Sequence, residues 1–235
     1  MNRLVQPEWL DTLAPDDPRA IASRRDLCRV NGWMGNHRIL RRALRTHLPG
    51  QTPGRLLEIG AGDGKFLLQV LKGFAPPWPR PQAILLDRQK SVPPDVLDTF
   101  SQQGWQAEPL VTDVFDCPPL TGPVAAVVAN LFLHHFADDP LARLLGKVSE
   151  QTDLFIAVEP WRFAQPWLCG QLLRLIGCNA VTLHDAEMSI RAGFQYGELS
   201  ALWPDKTHWQ LTERRAGFFS YLFIARRVNS REPSI

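Results

Sequence analysis

Short apolar runs alternate with amphipathic segments through the middle of the chain. Strand-like runs occupy residues 56–59, 83–86, 105–111, 124–129 and 154–158. Helical periodicity covers residues 65–74, 93–103, 140–149 and 165–176. This alternation predicts a parallel sheet covered on both faces, because crossover helices bury both sides of such a sheet.

The two ends of the chain follow other patterns. Residues 1 to about 50 predict two helices, 19–30 and 36–48, which the stretch Asn31–Gly35 should separate and Pro49-Gly50 should close. Near the other end, β-rich runs at 209–213 and 218–225 flank residues 214–217, which predicts a hairpin. Adding the hairpin gives seven strands, five parallel and two antiparallel.

Composition narrows the class of protein. The chain has 235 residues, 45% hydrophobic and 21% charged, with a net charge of +2, values typical of one ordinary globular domain. A run without acidic residues could form a basic face for an anionic partner, although a solvated helix face is commoner. It contains Arg38, Arg41, Arg42 and Arg45.

Cysteine usage and the apolar runs predict a cytoplasmic protein. The cysteines have neither CxxC nor Cys/His ligand spacing, so we expect no metal site and a reducing compartment. They are Cys28, Cys117, Cys169 and Cys178. The first residues lack an apolar segment, and the longest apolar stretch, 124–133, is far short of the roughly 20 residues of a membrane span. We therefore expect no membrane span.

A glycine cluster follows the first predicted strand. Residues 56–64 are LLEIGAGDG, placed between a strand and a helix, where α/β sheets bind ligands. A dinucleotide fingerprint would need a third glycine at position 65, which is Lys65, and a P-loop would need a following GK[ST]. The cluster therefore has GxGxG spacing preceded by an acid, Glu58, instead of a phosphate-binding spacing.

This segment resembles motif I of the class I S-adenosylmethionine-dependent methyltransferases. The resemblance implies that Glu58 and the glycines surround the amino-acid end of S-adenosylmethionine, that Asp87 binds the ribose hydroxyls and that Asp113 lies near the adenine. Taken singly, either aspartate could instead cap a loop. The implied cofactor residues are Glu58, Gly60, Ala61, Gly62, Gly64, Asp87, Asp113, Val114 and Asn130.

The resemblance covers residues 50 to 228 in the order of elements and implies an α/β fold. That fold is a Rossmann-like, mostly parallel sheet of seven strands with a C-terminal antiparallel hairpin, N-terminal helices and a helical lid insert. We expect one domain, whose parts are a helical cap (1–50), a cofactor-binding core (51–179), a lid insert (180–206) and a closing hairpin (207–228).

The segment after the fourth strand, NLFLHHF at 130–136, resembles the LHH stretch of small-molecule methyltransferases. A neutral imidazole could take the proton of an acceptor hydroxyl, and a carboxylate behind it would orient the ring. We therefore expect His134 or His135 as the base and Glu159 as its partner. The alternative is that the histidines only pack beside the cofactor and that positioning drives the reaction. The NPPY-like motif of nucleic-acid amino-methyltransferases is absent.

The predicted insert is the expected cover of an acceptor pocket. Large apolar side chains between positions 180 and 205 could line that pocket, or could simply pack on the sheet. The break between the N-terminal helices could close its other side. The expected acceptor residues are Trp33, Met34, His37, Met188, Arg191, Phe194 and Trp203.

These features together predict methyl transfer from S-adenosylmethionine to a small, largely apolar or aromatic metabolite, at a hydroxyl oxygen. Nucleic acid is an unfavoured partner because only the arginine run supports it. Two alternatives stay open: an RNA or protein methyltransferase, and a non-catalytic cofactor-binding subunit of the same fold. The intact acids and glycines weigh against the non-catalytic subunit.

Overall fold

A seven-stranded sheet forms the centre of the molecule. The computed structural model describes residues 3–14, 16–48, 54–74, 78, 81–164 and 167–228. The strands are β1 (Arg55–Ile59), β2 (Gln82–Asp87), β3 (Gln106–Val111), β4 (Ala126–Asn130), β5 (Leu154–Pro160), β6 (Trp209–Ala216) and β7 (Ser220–Arg227). Their order is β3-β2-β1-β4-β5-β7-β6, with β7 antiparallel to both β5 and β6 and the other pairs parallel. The predicted fold class is confirmed.

Helices cover the sheet and its carboxyl edge. They are α1 (Trp9–Thr12), α2 (Pro18–Met34), α3 (Asn36–His47), α4 (Lys65–Leu71), α5 (Pro94–Gln102), α6 (Asp138–Gln151), α7 (Trp167–Leu175), α8 (Ala180–Ala192) and α9 (Glu198–Leu202). Each of the four core helices predicted from periodicity is present, with ends shifted by a few residues. The predicted start of α7 at position 165 and the turn at 49–50 lie outside the described residues.

Two hydrophobic layers follow from the pleat of the strands. Along β5, Leu154, Ile156 and Val158 face the layer under α3, α4 and α5, while Phe155 and Ala157 face the layer under α6 and α9. Successive side chains of a strand point to opposite faces, so a fully buried strand has to be apolar throughout. Its burial on both faces fixes the register of β5 between β4 and β7.

The break between the first two long helices lies at one residue, Gly35. The prediction of a break over Asn31–Gly35 was wrong, because α2 continues through Met34. Gly32 costs a helix only about 1 kcal/mol relative to alanine, so one internal glycine does not end it. Gly35 does end it: its φ is 70°, a left-handed conformation, and its N–H donates to the Asn31 carbonyl at 3.3 Å.

The closing hairpin turns later than predicted. Residues 214–216 belong to β6, and the connection to β7 is Gly217-Phe218-Phe219, with Gly217 at φ 82°. The register pairs Ala216 with Ser220 across this three-residue loop. A three-residue hairpin loop commonly includes one left-handed residue, a conformation that Gly217 adopts without a steric cost and an arginine would not.

Two arginines of the basic run have a structural partner. Arg41 donates to the carbonyls of Val70, at 2.8 Å, and Gln69, and Arg45 donates to the carbonyl of Gly73 at 3.0 Å. Carbonyls at the end of a helix lack partners within it, and cations are favourable there. These two side chains therefore tie α3 to the end of α4, which weakens the case for a nucleic-acid face.

Among the described residues, none of the helices combines the length and the hydrophobicity that crossing a lipid bilayer requires.

Candidate active site

The glycine turn after β1 has the backbone conformation that only glycine adopts easily. Gly60, Gly62 and Gly64 have φ values of 71°, 54° and 74°. The N–H groups of Gly60 and Ala61 donate to the Leu86 carbonyl, at 2.9 and 3.0 Å, which ties the turn to the end of β2. Glycines at these three positions therefore shape the turn and keep its backbone accessible to a ligand.

Close packing is a second reason why position 60 has to be a glycine. A Cβ at this position would lie 2.2 Å from Cδ2 of the Phe132 ring, whereas a Cβ at Gly62 would meet no atom within 4 Å. Phe132 belongs to the segment that follows β4. The glycine turn and the predicted catalytic segment are therefore in direct contact.

Asp87 connects the end of β2 to the glycine turn. Its Oδ2 accepts the Gly62 N–H and its Oδ1 accepts the Gln89 N–H, both at 2.9 Å. Ser91 donates to the Gly62 carbonyl at 2.6 Å. A carboxylate oxygen accepts more than one hydrogen bond, so Asp87 retains capacity for the two hydroxyls of a ribose.

Asp113 is exposed and caps its own loop. Its Oδ1 accepts the Phe115 N–H at 2.8 Å, and its carbonyl accepts the N–H groups of Asp116 and Cys117. The neighbouring Thr112 N–H donates to the Asp87 carbonyl at 3.0 Å, so the two predicted ligand-binding acids lie at adjacent strand ends. The capping alternative thus describes what Asp113 does here, and its proposed contact with adenine, like that of the half-buried Val114, stays a prediction.

Glu58 is a buried acid with one oxygen that has no partner among the described residues. It is 2% exposed, and within the described part of the chain its Oε2 accepts no hydrogen bond. Burial raises the pKa of Glu58 well above its ordinary value, and the negative charges of Asp63 and Asp87 raise it further. An unpartnered buried carboxyl is costly, and a cationic group of a ligand would supply the missing partner. The α-amino group of S-adenosylmethionine fits this requirement.

Asn130 at the end of β4 is held by a buried polar chain. Asn36 at the start of α3 donates from Nδ2 to Oδ1 of Asn130 at 2.9 Å and accepts the Ser220 hydroxyl at 2.6 Å. Asn36 is fully buried. This chain fixes the N-terminal helices to the predicted cofactor edge through a residue the sequence did not single out, because one asparagine in a helix gives no distinctive pattern.

Glu159 and His134 form a buried pair at the ends of β5 and β4. The Nδ1 of His134 lies 2.8 Å from Oε2 of Glu159, and the two residues are 3% and 0% exposed. The other oxygen of Glu159 accepts the N–H groups of Phe132, at 3.0 Å, and Leu133, at 2.9 Å. Of the two predicted histidines, the structure pairs His134 with Glu159, while the His135 side chain is exposed.

A second carboxylate faces the other nitrogen of His134. Oε1 of Glu8 lies 3.6 Å from Nε2 of His134. Burial lowers the pKa of His134, but the polar contacts and charges of Glu159 and Glu8 outweigh it and raise that pKa to about 9. The two carboxylates therefore favour the protonated form of the ring.

Donor atoms of Glu8, His134 and His135 lie within 4.8 Å of one another, a spacing that a metal ion could also bridge. The Nδ1 of His134 is already bonded to Glu159, and charge pairing with the two carboxylates explains why Glu8 and His134 lie close together. The sequence predicted no metal here, and that prediction remains to be tested with a chelator.

Glu8 belongs to an N-terminal segment, residues 3–12, which starts the predicted helical cap and whose contact with His134 the sequence did not predict. The carboxylate of Asp185 on α8 accepts the N–H groups of Trp9 and Leu10, at 2.8 and 3.0 Å. The Trp9 ring stacks on His184 with 3.9 Å between the ring centroids. Because α1 is only four residues long, periodicity could not have revealed it.

The predicted acceptor residues lie in different surroundings. Phe194 and Trp203 are 0% and 2% exposed and pack in the hydrophobic core. Trp203 stacks against Phe155, and Phe194 against Tyr221. This burial agrees with the alternative that the two aromatic residues simply pack on the sheet. Their contact with an acceptor stays a prediction.

The other acceptor residues are more accessible. Trp33 is 59% exposed beside Phe219. On α8, Arg191 forms an ion pair with Glu187 at 2.6 Å. The half-buried members of the predicted set are Met34, His37, Met188 and Arg191.

A shallow depression of about 320 Å³ lies elsewhere, at the amino ends of β4 and β5, with Val124, Thr152 and Arg227 in its lining. It is at the opposite edge of the sheet from the glycine turn, and none of the predicted site residues lines it.

Solved structures share this fold. The plantazolicin methyltransferase BpumL in complex with S-adenosylhomocysteine (SAH) superposes with a TM-score of 0.64 at 12% identity, covering 91% of this chain and 92% of that chain. The pyocyanin biosynthetic protein PhzM gives 0.60 at 16% identity, covering 94% of this chain and 62% of that chain.

A third solved structure is N,N-8-amino-8-demethyl-D-riboflavin dimethyltransferase (RosA) from Streptomyces davawensis. It gives a TM-score of 0.56 at 19% identity over 94% of this chain and 62% of that chain. These similarities establish the class I methyltransferase fold. No family model and no curated protein matches the sequence.

The two glycines that differ in packing give a matched test. Gly62→Ala should lose roughly 1–2 kcal/mol of unfolding free energy, the ordinary cost of a left-handed alanine. Gly60→Ala should lose more, because its Cβ also collides with Phe132. Urea unfolding measures both, and equal losses would mean that Phe132 moves aside without cost.

Glu58→Gln tests the cost of the buried acid. The folded-state pKa of Glu58 is raised above the ordinary 4.5, so ionisation favours the unfolded chain above that pH. The neutral variant should therefore melt higher at pH 7, by about 2–4 °C for each kcal/mol recovered, and the gain should vanish as the pH falls below the ordinary pKa. Glu108→Gln, on the exposed edge strand, serves as the control. A Glu58→Gln melting temperature equal to or below the wild-type value at pH 7 would show that the acid is stabilised.

Proposed function

We propose that the protein transfers a methyl group from S-adenosylmethionine to a hydroxyl oxygen of a small, largely apolar or aromatic metabolite. One observation carries the proposal. The glycine turn follows Glu58, whose Oε2 has no partner among the described residues, and it touches the segment that holds the buried His134–Glu159 pair. This contact supports a methyl donor bound at the glycine turn beside His134, which can accept a proton once its Nε2 is unprotonated.

Each part of the cofactor has a matching group at the strand ends. Glu58 would pair with the α-amino group, Asp87 would accept the ribose hydroxyls, and Asp113 with Val114 would flank the adenine. The glycine backbone would allow close approach to the amino-acid end, and Asn130, fixed by Asn36, would border it. The complete set is Glu58, Gly60, Ala61, Gly62, Gly64, Asp87, Asp113, Val114 and Asn130.

Bound S-adenosylmethionine supplies a sulfonium methyl group, which the acceptor oxygen takes while the carbon–sulfur electron pair stays on sulfur. The acceptor's proton would move to Nε2 of His134, so that the imidazole ends with the positive charge that the sulfonium brought. Glu159 holds the Nδ1 proton and thereby leaves Nε2 as the basic nitrogen. His135, on the surface of the same turn, would border the acceptor instead of taking its proton.

The similar structures support a small-molecule acceptor. Their names refer to plantazolicin, to pyocyanin biosynthesis and to a riboflavin derivative. RosA is named as a dimethyltransferase of an amino compound, so the fold alone does not select oxygen. The imidazole–carboxylate pair favours a hydroxyl, since a phenol has to lose its proton for transfer whereas a neutral amine attacks with its lone pair.

The acceptor would lie under α8, which packs over the His134 turn. Met188 and Arg191 on α8, and Met34 and His37 at the α2–α3 junction, are the half-buried candidates for contacts to it. An apolar body with one phenolate or carboxylate would suit this set, because Arg191 is its one fixed charge.

Cofactor binding tests the first half of the proposal. Isothermal titration should show binding of SAH and none of NAD, because the turn lacks the third glycine of a dinucleotide site. Asp87→Ala should weaken SAH binding at least tenfold, since charge-assisted bonds contribute about 1.5–3 kcal/mol each. Asp95→Ala, on α5, is the control. Binding of NAD alone, or full SAH affinity in folded Asp87→Ala, would contradict the assignment.

Replacing each histidine tests the second half. With tritiated S-adenosylmethionine and a panel of phenols, His134→Ala should lower turnover by roughly 10²–10⁴ while SAH affinity stays near the wild-type value. His135→Ala should stay within a few-fold of wild type. If both variants keep near-normal turnover, positioning alone drives the reaction and His134 is structural.

A further inference from the structure

The N-terminal segment, residues 3–12, is fastened along α8 and across the His134 turn. At one end, Arg3 donates to the carbonyls of Ala192, at 2.9 Å, and Phe136, at 2.6 Å. At the other end, the Asp185 carboxylate caps the start of α1 through two backbone N–H groups. These fixed ends hold the middle of the segment against the catalytic turn.

Glu8 is the residue that this arrangement directs to the active site. Its side chain is 14% exposed, it accepts the Ser189 hydroxyl of α8, and its Oε1 lies 3.6 Å from Nε2 of His134. That distance exceeds the range of about 2.7–3.2 Å for an N–H···O bond but is within the range where charges couple strongly. Glu8 therefore interacts with His134 mainly through its charge.

The two nitrogens of His134 have different tasks. Glu159 accepts the hydrogen of Nδ1, so Nε2 is the nitrogen that gains and loses a proton. When Nε2 is unprotonated, its lone pair faces the Glu8 carboxylate unfavourably. When Nε2 carries a proton, the imidazolium lies between two negative charges. Glu8 therefore favours the state that His134 reaches on taking a proton from the acceptor.

We propose that Glu8 is a positioning residue of the methyl-transfer reaction, which the N-terminal segment supplies as a second carboxylate on the proton-accepting side of His134. The inference rests on the proposed function, because it assigns Glu8 a task in that same proton transfer. It also gives the N-terminal segment a functional role: docking of residues 3–12 along α8 completes the base.

Among the described residues, the other charged groups near His134 have contacts of their own, and Glu8 is the carboxylate that faces Nε2. Glu159 of β5 bonds Nδ1, and Arg3 donates to the backbone carbonyl of His134 while its charge pairs with Asp138 at 2.8 Å. His135 lies beside the ring, with centroids 4.3 Å apart. On α8, the remaining titratable groups are His184, Asp185, Glu187 and Arg191, and they pair with one another.

The pairing of His134 with Glu159 and Glu8 should make the rate of methyl transfer depend on pH. Two carboxylates keep the pKa of His134 at about 9, so the ring accepts a proton from the acceptor only after losing its own. The rate should therefore fall as the pH drops below that value. Without the Glu8 charge the pKa of His134 should be lower by about one unit or more, because an opposite charge at this range shifts a pKa by 1–3 units.

The test compares Glu8→Gln, Glu8→Asp and wild type in two measurements. The first is the pH profile of kcat/KM at saturating S-adenosylmethionine, with the phenol of the panel that wild type methylates fastest. The second is the imidazole NMR titration of His134 in the SAH complex, which needs no acceptor. In Glu8→Gln both the acid limb and the His134 pKa should move down by about one unit or more, and Glu8→Asp should restore part of the shift.

Glu150→Gln, an exposed carboxylate change on α6, is the matched control and should leave both measurements at wild-type values. If wild type neither binds SAH nor methylates any phenol, the proposed function fails. If wild type does both, but Glu8→Gln only lowers the height of the profile and leaves the His134 pKa in place, the Glu8 inference fails. Loss of wild-type activity in EDTA, restored by Zn²⁺, would overturn it in favour of a metal centre.

Discussion

The site depends on the hydrogen bonds that the carboxylate of Glu159 accepts. This carboxylate is fully buried, and it accepts the backbone N–H groups of Phe132 and Leu133 as well as Nδ1 of His134. The segment after β4 leaves the sheet, so its backbone N–H groups have no partner strand. The side chain of Glu159 accepts hydrogen bonds from these N–H groups instead. Leaving such donors unpaired in the interior would cost about 1–3 kcal/mol each, so the turn and the imidazole are held together or lost together.

That turn also determines how the other parts meet. Leu131, which precedes it, has a φ of 50°, unusual for a residue with a branched side chain, and its N–H donates to the Val158 carbonyl at 2.9 Å. The reversal places Phe132 against Gly60 and His134 under α8. The cofactor side and the acceptor side of the proposed reaction are therefore joined through four consecutive residues.

The site contains two buried acids in opposite situations. Glu159 has its partners within the protein, whereas Oε2 of Glu58 has none among the described residues. An unpaired carboxyl in a core position costs stability, and here it lies where the strand pleat would otherwise place a hydrophobic residue. A cationic group of a ligand that pairs with Glu58 would offset this cost. The buried carboxyl therefore supports the proposed binding of S-adenosylmethionine at this place.

Residues close together in sequence could be predicted, and contacts between distant segments could not. The glycine turn, the alternation of strands with helices and the hairpin follow from local patterns, as does His134 beside a strand end. Glu8 could not be predicted, because its contacts to His134 and Ser189 join positions 126 and 181 residues apart. The burial of Trp203 shows a related limit: a large aromatic residue has the same pattern in a core and in a pocket.

The most direct test of the account is a crystal structure of the protein with SAH. We expect the ribose hydroxyls on Asp87, the α-amino group at Oε2 of Glu58 and the sulfur facing the side of the site where His134 lies. SAH bound elsewhere, or with its sulfur turned away from the His134 turn, would contradict it.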